Sequence, residues 1–314
     1  MKTSYKILFC VLLTVVSFIA VAAGGPYTET GIYKGSSSLV AWATDCNVVR
    51  GLRNIADPGL GYVFYGSESD AINEADGTIG DVVSLGDGGI ATLTFDESIY
   101  ITNGTGNDFA VFENGFAKGG GSGFLELAFV EVSSDGVNFF GFDAVSLTPT
   151  NVQVGNITGL DPTNIHNLAG KHFMGYGTQF DLEELKDASA VLDVNSVTHI
   201  RIIDVVGFVE PADVYGDGIV NFIDFGIFAD ANEIEDCDIH RVWTDGPPAG
   251  YEAPDGVIDM LDFQIFMTKW LDENDYSSCD INAHQINDPW PTPFEEGWGG
   301  FDLDAVGVMN KRSR

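Results

Sequence analysis

Positive charge is what this chain has least of: 14 Lys and Arg stand against 47 Asp and Glu, a formal net charge of −33 over 314 residues. Such a surface repels nucleic-acid phosphates and anionic membranes, so neither is expected as a partner. Divalent cations are its natural counter-charge. Cysteine is sparse too, at four residues. With Cys10 removed in a leader, Cys46, Cys237 and Cys279 remain, and an odd set permits at most one internal disulfide. Cys237 with Cys279 is the expected pair, since both lie in or beside one segment described below; Cys46 with Cys279 is the rival. Common catalytic motifs are missing as well: no Gly-x-Ser-x-Gly elbow, no His-Glu-x-x-His helix, no Gly-x-x-x-x-Gly-Lys loop and no paired Cys-x-x-Cys site. Glycoside hydrolysis needs two carboxylates facing one cleft, yet Glu126 and Glu131 fall on opposite faces of a regular strand. A non-catalytic binding protein is expected, with a secreted carbohydrate-active hydrolase as the alternative.

Long apolar runs are also scarce. One spans Ile7 to Val21, preceded by Lys2 and Lys6 and followed by Ala22-Ala23-Gly24-Gly25, which reads as a signal peptide over residues 1–23. The run is short for a spanning helix, and Cys10 lacks the small residues that precede a lipoprotein attachment site. No second stretch approaches spanning length. The mature chain is therefore expected outside the cytoplasm, secreted or at the cell surface, with no membrane insertion after signal removal.

What the chain does have is a 45% apolar content, enough for a real core. From Gly80 to His199 short runs rich in Val, Ile, Phe and Thr alternate with Gly, Asn and Asp. Strands are expected at Ile90–Phe95, Asp108–Glu113, Phe124–Ser133, Phe139–Phe142 and Val197–Val206, and a short helix at Asp181–Asp187 capped by Asp181 with Glu184. Both parities of Phe124–Val132 are apolar, as a central strand covered on two sides requires. The class is mainly β, a sandwich or jelly roll.

At Pro211 the composition turns to carboxylate-rich segments with helical spacing. Asp217-Gly218 through Phe225 is repeated as Asp255-Gly256 through Phe263. A calcium loop needs oxygen ligands at alternate positions around a tight turn, closed by a carboxylate. In the first copy Asp213, Asp217, the Ile219 carbonyl, Asn221 and Asp224 supply that set. In the second, Asp255, Asp259 and Asp262 occupy the later positions, while Tyr251 and Ala253 stand where early ligands belong. Gly300–Val308 reads as a strand again and needs a sheet partner, which makes residues 210–278 an insertion between sandwich parts at 24–209 and 279–314.

The two copies resemble the calcium-binding repeats of type I dockerins, each an EF-hand-like loop followed by a helix. The resemblance implies a small inserted α module of paired loop-helix units, calcium as cofactor and a cohesin-like protein as a partner. Val130–Phe139 and Gly300–Val306 resemble the strand-turn-strand and closing strand of galactose-binding-like jelly rolls, a fold of many carbohydrate-binding modules. As a whole, Asp108–Phe116, Asp161–Asn164 and Phe301–Val306 resemble a bacterial family labelled as cell-surface proteins.

Candidate ligand groups fall in two sets. Glu113 and Asn114 at a strand end, with Asp302 and Asp304 on one side of the last strand, suit a cation or a ligand hydroxyl, or else are sheet-edge polarity. Asn164, His166, His172 and Tyr176 in the long loop 156–179, with Trp290 and Trp298, suit an extracellular glycan or another small hydroxyl-rich ligand; loop aromatics also pin loops to a core. Asp204, flanked by Ile203 and Val205, pairs with Arg201 or with a backbone group.

Calcium that binds only the folded loop raises stability by mass action. Adding calcium is expected to raise the melting temperature of the mature chain and chelation to lower it, measured by scanning calorimetry, with Asp217→Ala and Asp224→Ala together abolishing the shift.

Overall fold

The computed structural model describes residues 24–54, 58–148, 154, 157–207, 280–282, 286–288 and 297–314. The segment expected to be dockerin-like, with the calcium ligands expected from Asp213 through Asp262, lies outside the described residues, as do Trp290, Cys237, Cys279 and residues 1–23. The chain is mainly β. Two larger antiparallel sheets are present among the described residues. One runs in the order Ile32–Tyr33, Tyr176–Phe180, Phe109–Glu113, Asp302–Val308, Ala41–Trp42, with Val83–Ser84 also paired to Asp302–Val308. The other runs Phe140–Gly141, Ala128–Ser133, His199–Asp204, Ile90–Thr94, Asp45–Val49. No described helix is long and apolar enough to cross a membrane.

The inward residues of both sheets share one core. Val111, Leu303 and Val306 come from the first sheet, Leu93, Val130 and Ile200 from the second. Phe109, Phe142 and Phe180 form its aromatic centre, with ring centroids 5.0 to 5.9 Å apart. The Asp302–Val308 strand is buried at every residue, because Leu303, Val306 and Val308 face this core while Ala305 packs with Ala110 and Phe112 on the other side.

Strand bounds differ from the sequence reading at one informative place. The expected strand Phe124–Ser133 is broken into Ser122–Phe124 and Ala128–Ser133. Between them the Leu127 N–H donates to Asp288 Oδ1 at 2.8 Å, and the Leu127 carbonyl accepts from the Val205 N–H at 2.9 Å. Gly170 closes on the same stretch so tightly, at φ +81, that an added Cβ would stand 1.9 Å from the Glu126 carbonyl oxygen. Apolar residues of both parities have separate destinations: Ala128, Val130 and Val132 enter the main core, Leu125 and Leu127 a second one with Leu160, Ile165 and Leu168. The expected helix at Asp181–Asp187 is one 3₁₀ turn, Leu182–Leu185. Asp181 caps it by accepting from the Glu183 N–H at 2.9 Å, while buried Asp108 accepts from the Leu182 N–H at 2.8 Å and holds the turn against the sheet.

Truncating Phe180 removes the ring that touches both Phe109 and Phe142. Phe180→Ala is expected to cost about 3–5 kcal/mol in urea unfolding, with Phe180→Leu much milder.

Candidate functional site

A cavity of about 260 Å³ opens where the Asp302–Val308 strand begins, lined by Ile79, Asn114, Phe116, Phe124, Glu126, Trp298 and Asp302. Its walls are apolar. Phe116 and Phe124 lie opposite each other in the hairpin Phe116–Gly119 and Ser122–Phe124, rings stacked at 5.1 Å. Trp298 stacks on Tyr65 at 3.5 Å, and the Tyr65 hydroxyl donates to the Gly80 carbonyl. The sequence Gly297-Trp298-Gly299-Gly300 holds the indole there. Gly297 stands at φ +88 with its carbonyl accepting from the N–H groups of Phe64 and Tyr65. Gly300 stands at φ +58, where a Cβ would press on Asp204.

The floor is polar. Asn114 Nδ2 donates to the Ile79 carbonyl at 2.9 Å and to Asp302 Oδ2 at 3.1 Å, and Ser84 Oγ donates to the other Asp302 oxygen. Glu113 lies behind, 1% exposed, with one oxygen accepting from the Gly115 N–H at 2.7 Å and the other without a hydrogen-bond partner. Glu126, 4% exposed, sits in the break between the two strands and lines the cavity.

These acids form one electrostatic group. Burial, then repulsion from Asp302, Glu113 and other neighbours, holds Glu126 well above the usual carboxylate range. Glu113, Asp204 and Asp288 are likewise raised, burial first. Burial pushes Asp302 up to about 7, against the lowering pull of its Ser84 and Asn114 hydrogen bonds and of Arg50. None of the four ion pairs among the described residues involves Glu113, Glu126 or Asp302. No group of three or more His, Cys, Asp or Glu among the described residues is arranged to hold a metal ion.

No protein-family model matches the chain, and none of the curated proteins matches its sequence. The site's own geometry carries the functional reading.

The sequence-predicted residues sort clearly. Asn114, Trp298 and Asp302 meet at the cavity, with Glu113 beneath them. Asp304 does not share a side with Asp302 as strict alternation implies. The register slips between Leu303 and Ala305, and the Asp304 carboxylate accepts from the backbone N–H groups of Asp76 and Gly77, both at 2.8 Å. It fastens a loop. Asp204 binds backbone, accepting from the N–H groups of Gly88 and Phe301 at 2.9 and 2.6 Å, while Arg201 pairs with Glu131. Cys46 is a free, buried thiol, pushed up to about 12 chiefly by burial.

The long-loop set is used differently. His166 stacks on Tyr27 at 4.7 Å and bonds Glu29 at 2.9 Å. His172 Nε2 meets the Glu29 carbonyl at 2.9 Å, and buried Lys171 joins Glu29 to the Tyr27 carbonyl. Tyr176 tilts against Tyr33, and the Asn164 carbonyl accepts from the Leu147 N–H. A second cavity of about 330 Å³ lies here, lined by Tyr27, Lys171, His172 and Tyr176 among others. Its strongest polar groups are already spent on fastening residues 25–31. Glu126, Phe116 and Phe124 are the site residues that sequence reasoning missed. The break that frees Glu126 comes from contacts with Gly170 and Asp288, both distant in sequence.

The raised acids set a pH dependence. A carboxyl raised in the folded state binds protons that the unfolded state has released, so its stabilising contribution is full below the unfolded value near 4 and is lost as pH rises through the folded value. For Asp302 that window closes at about 7. His172 and His199, both lowered by burial, act in the opposite sense, but they are two groups against seven raised acids, Asp108 and Asp304 included. The melting temperature is therefore expected to be several degrees higher at about pH 5 than at about pH 8, with Asp302→Asn shrinking the difference.

Proposed function

We propose that this chain is a secreted or cell-surface, non-catalytic binding protein that receives one small, hydroxyl-rich ligand, of the size of a single carbohydrate residue, in the cavity between Trp298 and the Phe116–Phe124 pair. One observation carries this reading: aromatic and apolar walls enclose about 260 Å³ around the convergent polar groups of Asn114, Glu126 and Asp302. A pocket with apolar sides and a few placed polar groups is the usual form of a small-molecule site, and flat aromatic rings suit the faces of sugar rings. The volume is at the small end for such sites. The central place of the last strand supports the jelly-roll reading of the two sheets. The acidic composition and repeated carboxylate spacing support calcium in an inserted dockerin-like module, with a cohesin-like protein as a further partner.

A second reading is favoured by one feature, the presence of two buried carboxyl groups, Glu126 and Asp302, in one cavity. That is the equipment of a glycoside hydrolase. Against it, Asp302 has an oxygen accepting from each of Ser84 and Asn114, which makes it a held group and a poor nucleophile.

A glycan array probed with the mature chain, followed by calorimetry on the hits, tests the proposal. Trp298→Ala and Phe116→Ala are each expected to weaken binding by roughly tenfold or more, about 1.4 kcal/mol, while the melting temperature stays close to that of the parent. A hit that neither variant weakens places binding elsewhere. Release of product from the bound glycan, abolished by Glu126→Gln, establishes the hydrolase instead.

A further inference from the structure

We propose that the ligand of this cavity is a cation, and that Glu126 and Asp302 with the rings of Phe116, Phe124 and Trp298 form a seat for a small organic ammonium such as an amino sugar. The proposal rests on the cavity reading above and narrows its ligand class.

The hydrogen-bonding inventory points this way. Both amide hydrogens of Asn114 are spent, on the Ile79 carbonyl and on Asp302, so the side chain offers the cavity only its carbonyl oxygen. Asp302, as a carboxylate, accepts only. Glu126 is nine-tenths buried and lines the cavity, yet no hydrogen bond is formed to its carboxyl oxygens among the described residues. Apart from the Trp298 indole N–H, the side-chain polar groups presented to a ligand are acceptors once the two carboxyls are ionised. A neutral sugar hydroxyl brings one hydrogen and two lone pairs but no charge, so it leaves the two buried carboxylates uncompensated. An ammonium brings three hydrogens and no lone pair.

Charge and ring chemistry agree with the inventory. Carboxyl groups buried without a partner are costly in charged form, and burial with mutual repulsion is what holds Glu126 high. A bound cation weakens the repulsion and offsets the cost of burial. The walls are π faces, which attract ammonium groups most strongly when water is excluded. The Lys118 ammonium already lies 5.7 Å from the centre of the Phe116 ring without lining the cavity. A net charge of −33 raises the local concentration of any cation and speeds its encounter.

Calorimetric titration of the mature chain at about 0.15 M salt with glucosamine and N-acetylglucosamine tests the proposal, because the two share a ring and hydroxyls and differ in the charge of the nitrogen. Glucosamine is expected to bind at least roughly tenfold more tightly, methylammonium to displace it, and Glu126→Gln to abolish the preference. Asp302→Asn serves as a second variant should Glu126→Gln fail to fold, both being checked by circular dichroism. Equal binding of the two sugars, unaffected by Glu126→Gln, overturns the cationic ligand and leaves the cavity reading standing. Glucosamine binding that survives Trp298→Ala unchanged is attraction to the acidic surface at large and also overturns it. Absence of binding by glucosamine, N-acetylglucosamine and methylammonium alike defeats both the proposal and the cavity reading.

Discussion

The placement of the Asp302–Val308 strand is the constraint on which the rest of the structure depends. Residues from the far end of the sequence are set between Phe109–Glu113 on one side and Ala41–Trp42 with Val83–Ser84 on the other, so the first sheet has no continuous middle without them. Full burial suits Leu303, Ala305, Val306 and Val308, but it takes Asp302 and Asp304 inside as well. A buried carboxylate must be hydrogen-bonded or neutralised. Asp304 meets that demand by gathering the N–H groups of Asp76 and Gly77, Asp302 by gathering Ser84 and Asn114, and Asp204 by gripping the Phe301 N–H just before the strand begins. Loops far apart in sequence are thereby tied to one strand, and the cavity forms where those ties converge.

With so few cations in the chain, neutralisation by ion pairing is rationed. Arg201 and Glu131 form one good pair on the outer face, where the guanidinium also covers the Phe139 ring at 3.9 Å. Lys171 is committed to Glu29 and the Tyr27 carbonyl. Arg50, the cation whose field reaches Asp302, donates its hydrogens to the carbonyls of Tyr65, Gly66 and Ser84. Glu113 and Glu126 are left to hold protons or to await a ligand. A buried polar group that the fold leaves unsatisfied marks a place where local consistency has given way, and such places are the ones to search for function.

Much of this was legible in the sequence. Alternation located the strands, and the return of β-like sequence at Gly300 called for a sheet partner, which the strand finds in Phe109–Glu113. Asn114, Trp298 and Asp302 stood out as polar or aromatic residues at strand ends and in loops. What could not be read was long-range. A run such as Phe124–Ser133 has no internal signal for a break, because the break is made by Asp288 and by the backbone around Gly170. Nor does the spacing of Asp302 and Asp304 reveal a register slip, which belongs to the pairing with Phe109–Glu113. The helix expected at Asp181 is a single 3₁₀ turn whose first N–H, at Leu182, is taken by Asp108 from the neighbouring strand region, a tie that local spacing does not reveal.

The histidine-bearing loop shows how the same residue types can carry opposite meanings. Asn164, His166, His172 and Tyr176 have the composition of a binding face, and a cavity larger than the one at Trp298 lies beside them. Yet Glu29 meets His166, Lys171 and, through its backbone, His172, while Tyr27 covers His166 face to face. Each of those contacts fastens the N-terminal segment across the loop, and a ligand would have to replace several at once. At Trp298 the situation is reversed: Tyr65 occupies the indole stack, Ser84 and Asn114 fix Asp302, and Glu126 is left with unused oxygens facing the cavity. Recognition requires hydrogen-bonding capacity that the fold has not itself consumed, and that criterion, more than cavity size or residue type, separates the two places.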